Sequence, residues 1–186
     1  MTGTARSRRF RPLHWAGRFG RSLRPGAPSA ASQAWARGWL TDPEQVLFLL
    51  MSHPDQHHSI GVARQVEAAL DETGTELDDE QRRAVVAAAL LHDVGKTMAG
   101  LRTSGRVVAT LSGAVGGKDL AEHWQDTSGF TRKVGLYLRY PTLGAEMLEV
   151  AGSHPWVIAW AAEHHEPEEA WTVPVEVGRV LADADS

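Results

Sequence analysis

A chain of 186 residues with 42% apolar content suits one domain with a real core. No apolar run approaches the ~18 residues a membrane helix needs, and the absence of cysteine excludes disulfides and thiolate ligands. The net charge of −4 conceals an asymmetry: residues 1–40 hold eight Arg and no acid, which leaves 11 basic against 23 acidic residues, or −12, for the remainder.

Residues 1–28 are rich in Arg, Gly, Ser and Pro and lack helical periodicity, so they read as a disordered basic arm. Such an arm suits contact with nucleic acid or anionic lipid; the plainer reading is a solvated tail. It lacks the apolar stretch of a secretory signal, and with no cysteine the expected location is cytoplasmic. Residues 29–186 read as one all-α helical domain. "ASQAWARGWL" opens it. In "TDPEQVLFLLM", Thr41 and Glu44 form a possible capping box, Pro43 stands early, and Leu47, Phe48, Leu50 and Met51 supply the apolar face. "HSIGVARQVEAAL" places Val62, Val66 and Leu70 on one stripe, with His58 four residues ahead of Val62 on the same face; His57, about 100° round, faces solvent.

"LDDEQRRAVVAAALLHD" begins with acids in its first turn and is apolar from Ala84 to Leu91, so it belongs at the centre of a bundle. Residues 97–127 are Gly- and Ser-rich, with an apolar stretch at Val107–Leu111 and a helix expected over Lys118–Gln125; this loop is expected to cover a pocket. Helices resume at "TRKVGLYLR", "PTLGAEMLEVA", "PWVIAWAAEHH" and "PVEVGRVLADAD", with Pro141, Pro155 and Pro174 near their starts. The Trp residues, Trp156 and Trp160 among them, read as core. His123 and His154 read as structural or surface groups.

The candidate ligands fall on the buried sides of these helices. His92 and Asp93 end the apolar helix, and His164 and His165 each follow Trp160 and Ala161 by one turn. Asp185 is four residues beyond Leu181, whereas Asp183 lies about 200° round and faces water. Buried imidazoles and carboxylates from separate helices are costly apart and stable together around a cation.

"HSIGVA", "LLHDVGK", "AEHHEP" and "RVLADAD", in this order over roughly residues 45–186, resemble the successive motifs of HD-domain metal-dependent phosphohydrolases. The HDxGK form and the paired His are similar to the dinuclear members, but the GYP signature of the HD-GYP branch is missing after "HHEP". The resemblance implies that His58, His92, Asp93 and Asp185 hold a first metal, with Asp93 bridging to a second ion held by His164 and His165. The dinuclear members supply one more His, in a segment resembling HPxxGAxML; here it reads "YPTLGAEML", and Tyr140 replaces the imidazole. One ion is therefore expected, with the second site in question. All-N/O ligation suits Mn, Fe, Co, Ni, Zn or Mg.

The activity implied is metal-dependent hydrolysis of a phosphomonoester or phosphodiester, a nucleotide being the leading substrate. Asp93 fixes the metal, Lys96 binds phosphate or pairs with an acid, and Arg139 and Tyr140 line the substrate. The competing reading is a non-catalytic sensor that binds a metal or nucleotide, recommended by Tyr140 and by the terminal position of Asp185.

Overall fold

Eight consecutive apolar residues, Ala84 to Leu91, have no wet face, and they become stable only when other helices cover them on every side. That requirement organises the computed structural model, which describes residues 26–99 and 128–186. In chain order the helices are α1 (Ala30–Gly38), α2 (Asp42–Leu50), α3 (His53–Thr73), α4 (Asp79–Leu91), α5 (Lys96–Ala99), α6 (Gly129–Leu138), α7 (Tyr140–Val150), α8 (Pro155–Glu163) and α9 (Val175–Ala184), with a 3-10 turn at Glu168–Ala170. Among the described residues there is no strand, and the all-α expectation holds.

Helix α4 is the axis. Helices α3 and α8 pack along it, α2 and α9 also touch it, α7 lies against α8, and α9 crosses α3. Ala84 through Leu91 are all buried in the main core with Phe48, Val66, Leu148, Val157, Trp160, Val177 and Leu181. Each fully buried Leu or Phe there contributes about 1.5–3 kcal/mol of transfer free energy. A smaller cluster joins Ala99 of α5 to Val134 and Leu136 of α6.

Local chemistry marks the helix starts. The Glu44 carboxylate accepts from both the backbone N–H and the hydroxyl of Thr41, at 2.8 and 2.9 Å. Asp78 caps α4 by accepting from the Gln81 N–H at 2.8 Å, and Ser52 accepts from the Asp55 N–H at the head of α3. Pro141 and Pro155 fall in first turns and Pro174 caps α9, as their spacing suggests. Helix α3 ends at Gly74, whose φ of 60° is the left-handed conformation that a glycine adopts without strain.

Three sequence expectations need correction. Leu50 points outward, 62% exposed beside exposed Val46 and Leu49, because Phe48 and Met51 already fill the contact of α2 with the core. His57 is half-buried rather than solvent-facing, since Asp55, Gln56, Ser59 and Ile60 are buried around it and the covered arc at this end of α3 is wider than one stripe. Residues 97–99, read as part of a loop, continue the chain as α5. Pro28 is already buried and its carbonyl accepts from Gln33, so the fold takes hold by that residue. Residues 1–25, the Val107–Leu111 stretch, the Lys118–Gln125 helix and His123 lie outside the described residues. No helix among the described residues is long and apolar enough to cross a membrane.

Candidate metal centre

The apolar stretch of α4 ends in a tight turn. The N–H of Val94 bonds the Leu91 carbonyl and that of Lys96 bonds the Asp93 carbonyl, each at 3.0 Å. The turn exposes His92 and Asp93 to the interior instead of solvent; the two residues are 2% and 3% exposed. Gly95 makes this possible. A Cβ there would meet the Tyr140 carbonyl oxygen at 1.9 Å and the Gly144 nitrogen at 2.6 Å. The glycine of the HDxGK pattern therefore lets the turn lie directly on the first turn of α7.

Two further helices deliver their ligands by register. Val62 and Val66 anchor α3, which brings His58 round to the same interior. Val177 and Leu181 anchor α9, and Asp185 follows Leu181 by one turn, while Asp183 is exposed. His58 Nε2 lies 3.0 Å from Asp185 Oδ1. His92 Nε2 lies 3.5 Å from Asp93 Oδ2 and 3.9 Å from Asp185 Oδ1. Ligand atoms of His58, His92 and Asp93 all fall within 4.8 Å of one another.

The tautomers follow from the partners. His92 Nδ1 faces the Ala89 carbonyl at 3.0 Å, so it carries the proton and donates. Its Nε2 is then turned toward two carboxylates, an arrangement that is stable only with a proton or a cation between them. His164 is alike: Nδ1 faces the Trp160 and Ala161 carbonyls at 3.1 Å each, leaving the Nε2 lone pair toward the interior. Two carboxylates, convergent imidazole nitrogens and burial form a donor set that fits a divalent cation of intermediate hardness.

The surroundings set the charges. Burial pushes the Asp93 carboxyl up, but the Lys96 ammonium with His92 and His164 outweighs it and holds the group well below the usual carboxylate range. Burial pushes Lys96 down, and the Asp93 charge more than restores it. Burial, with His92 and His165 nearby, brings His164 down to about 3, so its ring is neutral at pH 7. Burial also lowers His165. Burial and then the charge of Asp93 raise the Tyr140 phenol well above its ordinary value. Burial raises Asp185, but the hydrogen bond and charge of His58 and the charge of His92 leave it lowered.

His164 and His165 reach the same interior, 3.9 Å separating His164 Nε2 from Asp93 Oδ1. Both are bound to the Tyr140 hydroxyl, at 3.1 Å for His164 Nε2 and 2.5 Å for His165 Nε2. Lys96 pairs with Asp93 Oδ2, and its ammonium lies 4.8 Å from the centre of the Tyr140 ring. Arg139 is half-buried at the junction of α6 and α7, one residue before Tyr140. Outside the cluster, His154 caps α8, its ring accepting the Trp156 N–H, and Trp160 is core while Trp156 packs against that core.

Two contributors escaped the sequence reading. Asp55 is buried at the start of α3, held by the Ser52 hydroxyl at 2.6 Å, and its charge helps raise Lys96. Its position three residues before His58, on one helix face, was the available signal. Tyr137 stacks obliquely on Tyr140 with ring centres 5.7 Å apart, and the i, i+3 spacing in "YLRY" was its signal.

Comparison with known proteins adds one finding. The family model described as "HD domain" matches residues 56–186. No curated protein and no solved structure matches the chain. The match spans the helices that carry His58, the His92–Asp93 turn, the paired His and Asp185, and the chain belongs to the HD-domain family, whose members are generally metal-dependent phosphohydrolases.

Proposed function

We propose that the chain is a cytoplasmic phosphohydrolase that uses a divalent metal held by His58, His92, Asp93 and Asp185 to cleave a phosphomonoester or phosphodiester, with a nucleotide as the leading substrate. The observation that carries this reading is the convergence, in the buried interior, of His92 Nε2 with His58 and with the oxygens of Asp93 and Asp185. A cation bound there would supply a Lewis acid and lower the pKa of a bound water from its bulk value toward ~7.

The chain's own groups do the rest. Asp93 and Asp185 remain ionised at neutral pH and balance the cation, because their neighbours hold both carboxyls down. Lys96, anchored on Asp93, presents positive charge to a phosphate oxygen, with Arg139 as a second cation at the α6–α7 junction. Tyr140, buried beside Lys96, places its phenol next to the position a substrate phosphate would take. Residues 1–28 give a basic arm for nucleic acid or anionic lipid. Deleting them should weaken such binding in a salt-dependent way, and unchanged affinity rejects that role.

The test is a phosphatase screen across phosphomonoesters, nucleotides and cyclic dinucleotides with added Mn²⁺. Turnover that vanishes in Asp93→Ala supports the enzyme. A sensor is the second reading, favoured by the way Tyr140 holds both His164 and His165. Saturable nucleotide binding with no turnover under any metal selects the sensor and rejects the enzyme.

A further inference from the structure

The proposed ligands and the neighbouring triad of Tyr140, His164 and His165 differ in how their polar atoms are bonded. At His92 the inward nitrogen faces two carboxylate oxygens at 3.5 and 3.9 Å, outside ordinary hydrogen-bond length. At the triad both Nε2 atoms lie within hydrogen-bond distance of the Tyr140 hydroxyl. His164 Nδ1 donates to backbone carbonyls, so its Nε2 is an acceptor, and the Tyr140 hydroxyl at 3.1 Å is placed to donate to it. A hydroxyl donates one proton only, and the Asp93 carboxylate draws on it as well as His164. His165 Nε2, 2.5 Å from the same oxygen, must therefore carry its own hydrogen and donate. One phenol closes the circuit and occupies both imidazole nitrogens.

The charge beside the triad is also supplied. Lys96 bonds Asp93 Oδ2, the inward carboxylate oxygen it shares with the His92 side, and places its ammonium over the Tyr140 ring. An ion entering between Asp93 and the paired His would meet a fixed positive charge. It would also have to break two hydrogen bonds and reverse the His165 tautomer.

Resting on the metal reading above, we infer that this site is built for a single divalent ion, with the Tyr140 phenol and the Lys96 ammonium standing in the place of a second one. His164 and His165 then act as positioning residues that fix the phenol; they are not ligands. Tyr140 is the determinant, because an imidazole at position 140 could offer a lone pair where the phenol offers a proton.

Metal content decides this without reference to turnover. The full-length chain is saturated with Mn²⁺, freed of excess by dialysis, and measured by elemental analysis, calorimetric titration and Mn²⁺ electron paramagnetic resonance. One ion per chain is expected, with the six-line signal of an isolated Mn²⁺. Tyr140→Phe should keep one tight ion, and Tyr140→His, shown folded by circular dichroism, should raise the count toward two and add spin-coupled features. Two ions in the wild type, with one lost in Tyr140→Phe, would overturn the inference by making the phenol a ligand, and leave the metal reading standing. A folded Tyr140→His that still takes one ion also overturns the role of Tyr140. No ion in the wild type removes both the inference and the reading beneath it.

Discussion

Replacing Gly95 by alanine adds one methyl group at the point where the His92–Asp93 turn rests on α7. That methyl would stand 1.9 Å from the Tyr140 carbonyl oxygen, 2.6 Å from the Gly144 nitrogen and 2.9 Å from the Tyr140 carbonyl carbon. Ordinary contact begins at 3.4 Å, so the closest overlap is about 1.5 Å, and all three atoms belong to backbone that no rotamer change can move. Overpacking of this kind costs about 1–3 kcal/mol, and immovable neighbours put it at the top of that range. For a domain of this size each kcal/mol lowers Tm by about 2–4 °C, so Gly95→Ala should melt roughly 6–12 °C lower. The same substitution at Gly61, inside α3 with nothing within 4 Å of the added carbon, should do the reverse. There the helix gains up to about 1 kcal/mol, or roughly 2–4 °C. Differential scanning calorimetry of the two variants beside the wild type measures both signs. Equal melting temperatures for Gly95→Ala and wild type would refute the claim that this turn depends on a missing side chain. Separation of α4 from α7 should also shrink the thermal shift produced by Mn²⁺, since Asp93 moves with the turn.

Acidification should destabilise the metal-free protein. His164 titrates near 3 when folded and near 6.5 when unfolded, so between those values the unfolded chain binds the extra proton and stability falls as pH drops. From pH 6.5 to 4.5 the loss should be about 2–3 kcal/mol in urea titrations, and His164→Gln should flatten the decline; a slope unchanged in that variant sinks the assignment. Asp93 and Asp185 act lower, their stabilisation being lost only as pH falls below the ordinary carboxylate value. On α2, Phe48→Ala should cost about 3–5 kcal/mol and Leu50→Ser less than about 0.5 kcal/mol, because Phe48 is fully buried and Leu50 is 62% exposed. Chemical denaturation of the pair checks it, and equal losses would place Leu50 in the core after all.

Much of the fold is legible in the amino-acid sequence. The unbroken apolar run from Ala84 to Leu91 can satisfy itself only inside a bundle, and caps such as Thr41 with Glu44 and Asp78 with Gln81 write helix starts into three or four adjacent residues. The preference for Asp185 over Asp183 follows from helical angle alone, and the structure turns only Asp183 to solvent. These features are local, and helical geometry carries local spacing directly into direction. The outward turn of Leu50 and the cover over His57 are not legible in the same way. Both depend on how many neighbours reach one side of a helix, which is a sum over distant parts of the chain.

By itself, then, the sequence determined where most of the described helices lie and which of their faces carry His92, Asp93 and Asp185. Tertiary packing alone decided the long-range pairings: that the Lys96 ammonium lies against the Tyr140 ring, that one phenol joins His164 to His165, and that His92 Nε2 meets Asp185 from another helix. Such pairings depend on ångström-scale distances, most of them between groups on separate helices. Hydrogen bonds and buried charges weaken steeply with misplacement, and only the packed helices set those distances.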